Sequence, residues 1–338
     1  MTRPAEKGLE SLEALTLEQL QGESQGLRDR LNRFRQALGR HFVGKQDLVD
    51  VMTVAAVAQE PLLLVGPPGT AKSELVLKFK DALSLDGSDY FEYLLTRFTE
   101  PSEVLGPIDI NELRAGRYVR RERGKLPTAR LVFLDEIFKA SSAILNALLT
   151  VINERKFYQD GVAVPVRLKV LFAATNEVPE HSELGALKDR FCLKVPCRSV
   201  QESHFVELLD SGLESVTHRE LNRKPWAEGH ASLEDLVKAH RYLTLLMART
   251  EPKDRDVFFR DELLREFRRV VRTLSREDEV FISDRKLVKL YRLLRTRAWI
   301  HHGGAVERED LRLLAYLGET KEEMDLLEDK VPRLLGLS

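Results

Sequence analysis

Eight consecutive residues constrain this chain more than any other feature: Gly66, Pro67, Pro68, Gly69, Thr70, Ala71, Lys72 and Ser73. The apolar run Pro61-Leu-Leu-Leu-Val65 precedes them, and residues 74–83 follow with helical spacing. The run is short and bounded by Pro and Gly, so it reads as a buried strand. Strand, glycine-rich turn and helix in that order make the G-x-x-x-x-G-K-[ST] phosphate loop. Its glycines let backbone N–H groups turn toward phosphate oxygens, and the helix N-terminus adds partial positive charge. Lys72 is expected to reach the β- and γ-phosphates of ATP, and Ser73 to offer its hydroxyl to Mg²⁺.

The surroundings of the loop define the fold class. Residues 91–95, 131–135 and 170–175 are apolar runs of strand length, and residues 48–58 and 143–154 have helical periodicity. Strands alternating with helices predict an α/β domain with a parallel sheet. Residues 156–169 read as a hairpin turning at Asp160-Gly161. Beyond residue 200 no strand signal survives. Helical periodicity recurs over 233–247, 262–274 and 284–300, with Leu263, Phe267, Val270, Val271 and Leu274 as a core stripe. The plan is a peripheral segment 1–25, an α/β nucleotide domain 26–199 and a small all-helical domain 200–338. The polar stretch 210–229 is expected to be a loop or insertion.

Three further groups of residues point to chemistry at the loop. Leu131-Val-Phe-Leu-Asp135-Glu136 is an apolar strand ending in two acids. Asp135 would hold Mg²⁺ through its water shell, and Glu136 would polarise an attacking water. Asn176 ends the run Val170-Leu-Phe-Ala-Ala-Thr, where a polar side chain can touch the γ-phosphate. Arg190 and Arg285 offer guanidinium forks suited to phosphate oxygens, although position alone does not separate them from surface ion pairs.

The remaining composition narrows partners and compartment. The net charge of −1 gives no global attraction to nucleic acid. Residues 114–125 hold six basic residues and one acid, with Tyr118 alone as a stacking platform. No apolar run approaches the ~20 residues of a membrane span. The N-terminus lacks a signal-peptide core. Cys192 and Cys197 fit neither a metal nor a disulfide pattern and read as small apolar residues on or near a buried strand. Together these suggest a cytoplasmic protein.

The segments GPPGTAKS, RFTEPSEVLGP, LVFLDEIFKA, ILNALLTVINER, AATNE and LKDRF together resemble the MoxR family of AAA+ ATPases. ISDRK and the helical tail resemble its RavA-like branch. The resemblance implies an AAA+ P-loop sheet domain followed by a helical lid, assembled as a homo-oligomer, a hexameric ring in the family's manner. It implies remodelling of a protein partner together with a protein bearing a von Willebrand factor A (vWA) domain. Lys72 matches the family's loop lysine, Asp135 and Glu136 its metal and water acids, and Asn176 its sensor. Arg190 matches the finger that reaches a neighbouring subunit's ATP. Arg285 resembles the second sensor, in cis through the lid or in trans if the lid is displaced. Residues 99–126 correspond to an insertion in the core, and 156–169 to a hairpin, both facing the pore or a partner in relatives. RavA-like proteins carry a further client-recruiting region after the lid. This sequence ends at Ser338, so that property is not carried over. Two rival readings stand beside this one: a nucleic-acid motor, and a nucleotide-gated scaffold in which hydrolysis is incidental.

Overall fold

The computed structural model describes residues 11–12, 14–179 and 184–337. Its strands are β1 Leu62–Val65, β2 Tyr90–Leu94, β3 Leu131–Asp135, β4 Lys156–Gln159, β5 Val162–Pro165, β6 Val170–Thr175 and β7 Leu193–Pro196. Five of them form one parallel sheet in the order β2-β3-β6-β1-β7. The other two, β4 and β5, make the antiparallel hairpin. Asp160 (φ 48°) and Gly161 (φ 75°) turn it in the left-handed region that a tight hairpin requires. The strand β7 has little periodicity of its own. It is flanked by Cys192 and Cys197, both free and buried, as expected of residues beside a buried strand.

The longer helices are α1 Leu17–Gly39, α2 Gln46–Ala58, α3 Lys72–Ala82, α4 Ser142–Glu154, α5 Phe205–Glu220, α6 Leu233–Arg249, α7 Asp261–Glu277, α8 Asp284–His302 and α9 Lys321–Leu335. None among the described residues is long and apolar enough to cross a membrane. One face of the sheet buries Phe172 against Phe79 of α3, which meets Phe34 of α1, both pairs edge to face at 5.2 and 5.1 Å. The other face buries Leu63, Val132 and Leu134 with Ile144 and Leu148 of α4. Burying both faces explains why these strands read as continuous apolar runs.

Two expectations need correction. Residues 17–25 are not peripheral, because α1 begins at Leu17 and buries Leu17 and Leu20. A capping box fixes that start: Thr16 accepts from the Gln19 N–H, and the Gln19 side chain accepts from the Thr16 N–H. The polar composition of the stretch hid a helix held by tertiary packing rather than by its own periodicity. The stretch 210–229 is not wholly loop either, because α5 runs through it as far as Glu220. That helix buries none of its residues, so no core stripe announced it.

The C-terminal helices share one core with α1 and α2. Arg30 of α1 pairs with Asp235 of α6 at 2.7 Å, and Asn32 donates to the Ile300 carbonyl of α8. Asp50 of α2 collects Arg35, Arg297 and His301. Burial would raise the Asp50 pKa, but His301, Arg35 and Arg297 outweigh it and hold the carboxyl below its ordinary value.

Candidate active site

Sheet order places the sequence motifs side by side. The strand β1 lies between β6 and β7, so its C-terminal end meets the ends of both. The Gly66 N–H donates to the Thr175 carbonyl, and the Cys197 N–H donates to the Val65 carbonyl. A Cβ built on Gly66 would lie 2.3 Å from the Cys197 carbonyl oxygen. Glycine is therefore required there by close backbone approach, not only by the loop's curvature. Three residues on, Gly69 takes φ 82° and Ala71 φ 64°, so the loop turns left-handed before α3 begins at Lys72. A non-glycine residue in that region stores strain of order 1–2 kcal/mol, typical of loops whose backbone is committed to a ligand.

The polar side chains then converge. Lys72 is buried, and its Nζ donates to the Gly66 carbonyl (2.5 Å), the Pro67 carbonyl (3.0 Å) and Asn176 Oδ1 (3.0 Å). Asn176 Nδ2 donates to Glu136 Oε1. Lys139 pairs with the other Glu136 oxygen at 3.3 Å. Glu136 is itself left-handed at φ 51° and donates its N–H to Asp135 Oδ1. Ser73 Oγ donates to Asp135 Oδ2 at 3.3 Å. Lys72, Ser73, Asp135, Glu136 and Asn176 thus form one hydrogen-bonded set at the C-terminal edge of the sheet, where ligands bind in open α/β folds. The partner Lys139 escaped sequence reasoning, although it sits three residues after Glu136.

This donor set suits a nucleotide with its metal. Among the described residues no group of three or more His, Cys, Asp or Glu could hold a metal by itself. Mg²⁺ commonly takes one or two protein oxygens and completes its shell with phosphate and water. The adjacent Ser73 hydroxyl and Asp135 carboxylate provide that kind of partial site. A cleft of about 790 Å³ opens beside the loop, between Gly66, Pro67 and Asn176 on one side and Thr320–Asp325, at the start of α9, on the other. Arg198 ties its wall to Asp325 and Glu328, and Lys45 donates to the Arg198 carbonyl.

Arg190 and Arg285 are elsewhere. Both line a second pocket of about 640 Å³ with Arg155, Lys289, Arg292 and Glu60. Pro61 lines this pocket and Val65 lines the first, so the length of β1 separates the two. In this structure Arg285 does not face its own phosphate loop across the lid. It stands at the start of α8, in the pocket at the opposite end of β1. Glu60 pairs with Lys289 (2.9 Å) and Arg292 (3.2 Å), and Asp189 pairs with Arg190 (2.9 Å). The Nη1 of Arg155 and the Nε of Arg190 are enclosed without a hydrogen-bond partner. Burial lowers the Arg155 pKa, with Glu60 opposing. It also lowers that of His240 to about 4, helped by Arg292. Arg155 was not among the expected site residues. Its signal was its place in the Val-Ile-Asn-Glu-Arg segment, where it ends α4 in the left-handed region.

The basic stretch 114–125 is largely engaged locally. Arg117 pairs with Glu112, Arg121 pairs with Asp109, Arg120 donates to the Gly106 carbonyl, and Lys125 donates to the Glu103 carbonyl.

A five-stranded parallel sheet, a phosphate loop, a neighbouring strand ending in Asp-Glu and a polar residue ending the next define the AAA+ class of ATPases. The comparisons make the family specific. Residues 29–238 match the model described as the MoxR domain in the MoxR-vWA-beta-propeller ternary systems, and residues 261–331 match an AAA lid domain. This chain belongs to the MoxR family of AAA+ ATPases. An uncharacterised protein of Methanocaldococcus jannaschii is 31% identical over 295 residues, covering 85% of this chain and 70% of that protein. Chaperone MoxR1 of Mycobacterium tuberculosis is 27% identical over 187 residues, covering 52% of this chain and 46% of that protein. A crystal structure from Cytophaga hutchinsonii superposes with TM-score 0.69 over 95% of this chain and 98% of that one. At 16% identity, that likeness is one of fold.

Proposed function

We propose that this ATPase works as a Mg²⁺-dependent, head-to-tail homo-oligomeric ring, a hexamer in the manner of its class, and spends each ATP on remodelling a protein partner. The observation that carries the reading is the separation of Arg190 and Arg285 from their own phosphate loop. A single chain offers Lys72, Asp135, Glu136 and Asn176 on one side of the γ-phosphate. Phosphoryl transfer also needs positive charge opposite them, where negative charge spreads in the transition state. Head-to-tail packing would bring the arginine pocket of one subunit onto the cleft of the next.

Within each site, Lys72 leaves its loop carbonyls for the β- and γ-phosphates. Ser73 and Asp135 would hold Mg²⁺, which would supply positive charge against the phosphates. Glu136, oriented by Asn176, polarises the attacking water. Arg190 is the trans finger, and Arg285 assists from the same pocket. The vWA and propeller components in the family description favour a vWA-domain partner. ISDRK and the helical tail keep the RavA-like branch as the proposed placement. The two free, buried cysteines suit the cytoplasm. Local pairing of the basic stretch leaves the nucleic-acid reading little support.

Subunit mixing tests the ring. Lys72→Ala and Arg190→Ala subunits should each be nearly inactive alone and regain part of the ATPase rate when co-assembled. A Lys72→Ala subunit can donate its intact Arg190 to a neighbour with an intact loop. If mixed assemblies, shown to exchange subunits, never exceed the sum of the two mutants, the trans assignment is wrong.

A further inference from the structure

The helix α5 is seated inside out. Its half-buried positions are Leu208, Ser211, Ser215 and His218, while Phe205, Leu209, Leu213 and Val216 lie 54–70% exposed. These four fall on one stripe at helical spacing. A stripe of large apolar side chains facing water, on a helix that buries none of its residues, calls for a covering surface. Asp210 and Glu214 flank the stripe, and neither makes an ion pair with another described residue.

A surface of complementary polarity and charge lies elsewhere on the same chain. An apolar groove of about 540 Å³ runs between α7 and the start of α8, floored by Leu264, Val271, Leu287 and Val288. Leu287 and Val288 are 38% and 62% exposed. Arg265, Arg268 and Arg272 line the groove and have no ionic partner among the described residues. So an apolar stripe with an acidic margin and an apolar groove with a basic margin are both left uncovered.

We propose that α5 of one copy docks in the α7–α8 groove of a second copy. Position supports this occupant over a foreign one. The stripe begins just after Gln201 and Glu202, which line the nucleotide cleft. The groove's Leu287 and Val288 lie within one turn of Arg285, which lines the arginine pocket. Seating one in the other therefore draws the arginine end of one copy toward the cleft end of the next. Stripe and groove are different surfaces, so the contact is heterologous and propagates around a ring instead of stopping at a dimer. This inference rests on the ring proposed above and assigns it an interface.

Engineered disulfides test it directly. The native thiols of Cys192 and Cys197 are buried, which leaves new surface cysteines as the reactive ones. With Mg²⁺ and a non-hydrolysable ATP analogue under a mild thiol oxidant, Leu213→Cys mixed with Val288→Cys should give a disulfide-linked dimer. Neither variant alone should do so. A chain carrying both should give a ladder of higher species. Separately, Arg268→Glu with Arg272→Glu should raise the concentration needed for assembly by about tenfold or more, because the reversed margin would then face Asp210 and Glu214 with like charge. Asp210→Arg with Glu214→Arg should reverse that loss when the two are mixed. Because these side chains face solvent, thermal melting should stay close to wild type. Failure of the doubly substituted chain to crosslink while it still assembles overturns the docking alone. So does self-crosslinking of Leu213→Cys, which would mean that stripe meets stripe. A wild-type chain that stays monomeric with nucleotide at every concentration removes the ring as well.

Discussion

At the C-terminal end of β1 the polar side chains of the loop and of the neighbouring strand ends are bonded to one another. Lys72 holds two loop carbonyls and Asn176, Asn176 holds Glu136, and Ser73 holds Asp135. At the N-terminal end of the same strand, cations outnumber acids, and two arginines keep enclosed nitrogens without partners. The first end is a cradle whose polar groups are already held by one another. The second carries the desolvation cost of enclosed donors that make no hydrogen bond within the chain. The difference teaches that the two groups of polar residues read from the sequence lie at opposite ends of one strand, and on the proposed ring each end would complete a neighbour's site. An isolated subunit is then expected to bind nucleotide well and to turn it over slowly.

Removing a cation from the second end should break that comparison most strongly. Arg190→Ala should lower the steady-state rate by on the order of 10³- to 10⁵-fold while calorimetric ATP affinity changes little. A parallel loss of affinity would mean that Arg190 serves its own cleft after all. Lys72→Ala should act the other way round, costing ATP affinity on the order of a hundredfold or more. Binding within about threefold of wild type, under ~0.7 kcal/mol, would contradict the role given to Lys72. Glu136→Gln sharpens the same end, because its amide should leave ATP bound but unhydrolysed.

Smaller effects follow from the backbone and from titration. Gly66→Ala forces a methyl group onto the Cys197 carbonyl, at 2.3 Å before relaxation. Overpacking of that kind costs about 1–3 kcal/mol, readable as a lower denaturation midpoint with weakened nucleotide binding. A midpoint equal to wild type would show that the β1–β7 approach is more pliable than the geometry says. His240 should have the smallest effect, and only in acid. Its folded pKa is depressed to about 4, so the unfolded chain binds the proton first. Stability is therefore full above about pH 6.5, the ordinary value for histidine, and declines as pH falls toward 4. Between those limits wild type should lose more stability than His240→Gln. Parallel curves would place the acid sensitivity elsewhere.

Much of the first end was legible in the sequence. The loop from Gly66 to Ser73, the strand ending in Asp135-Glu136 and the Asn176 terminus are contiguous or strand-borne signals. The four core strands read at 61–65, 91–95, 131–135 and 170–175 leave few ways to arrange them, while the bounds of the fifth, β7, came only from the structure. The hairpin at Asp160-Gly161 was equally local. The second end was not legible as a place. Arg155, Arg190 and Arg285 come from the end of α4, from the residues just before β7 and from the start of α8, and nothing local says that they meet.

The chain's own sequence determined the phosphate loop, the order of strand and helix signals and the identity of the residues at each strand end. These depend on backbone geometry and on apolar periodicity over a few residues, which neighbouring side chains set directly. Tertiary structure alone decided which way helices face. It buried Leu17 and Leu20 in a stretch that reads as polar, and it turned the apolar stripe of α5 to water. It also placed Arg285 at the end of β1 opposite the phosphate loop. A helix's register fixes which residues share a face, but only the surfaces packed against it fix where that face points.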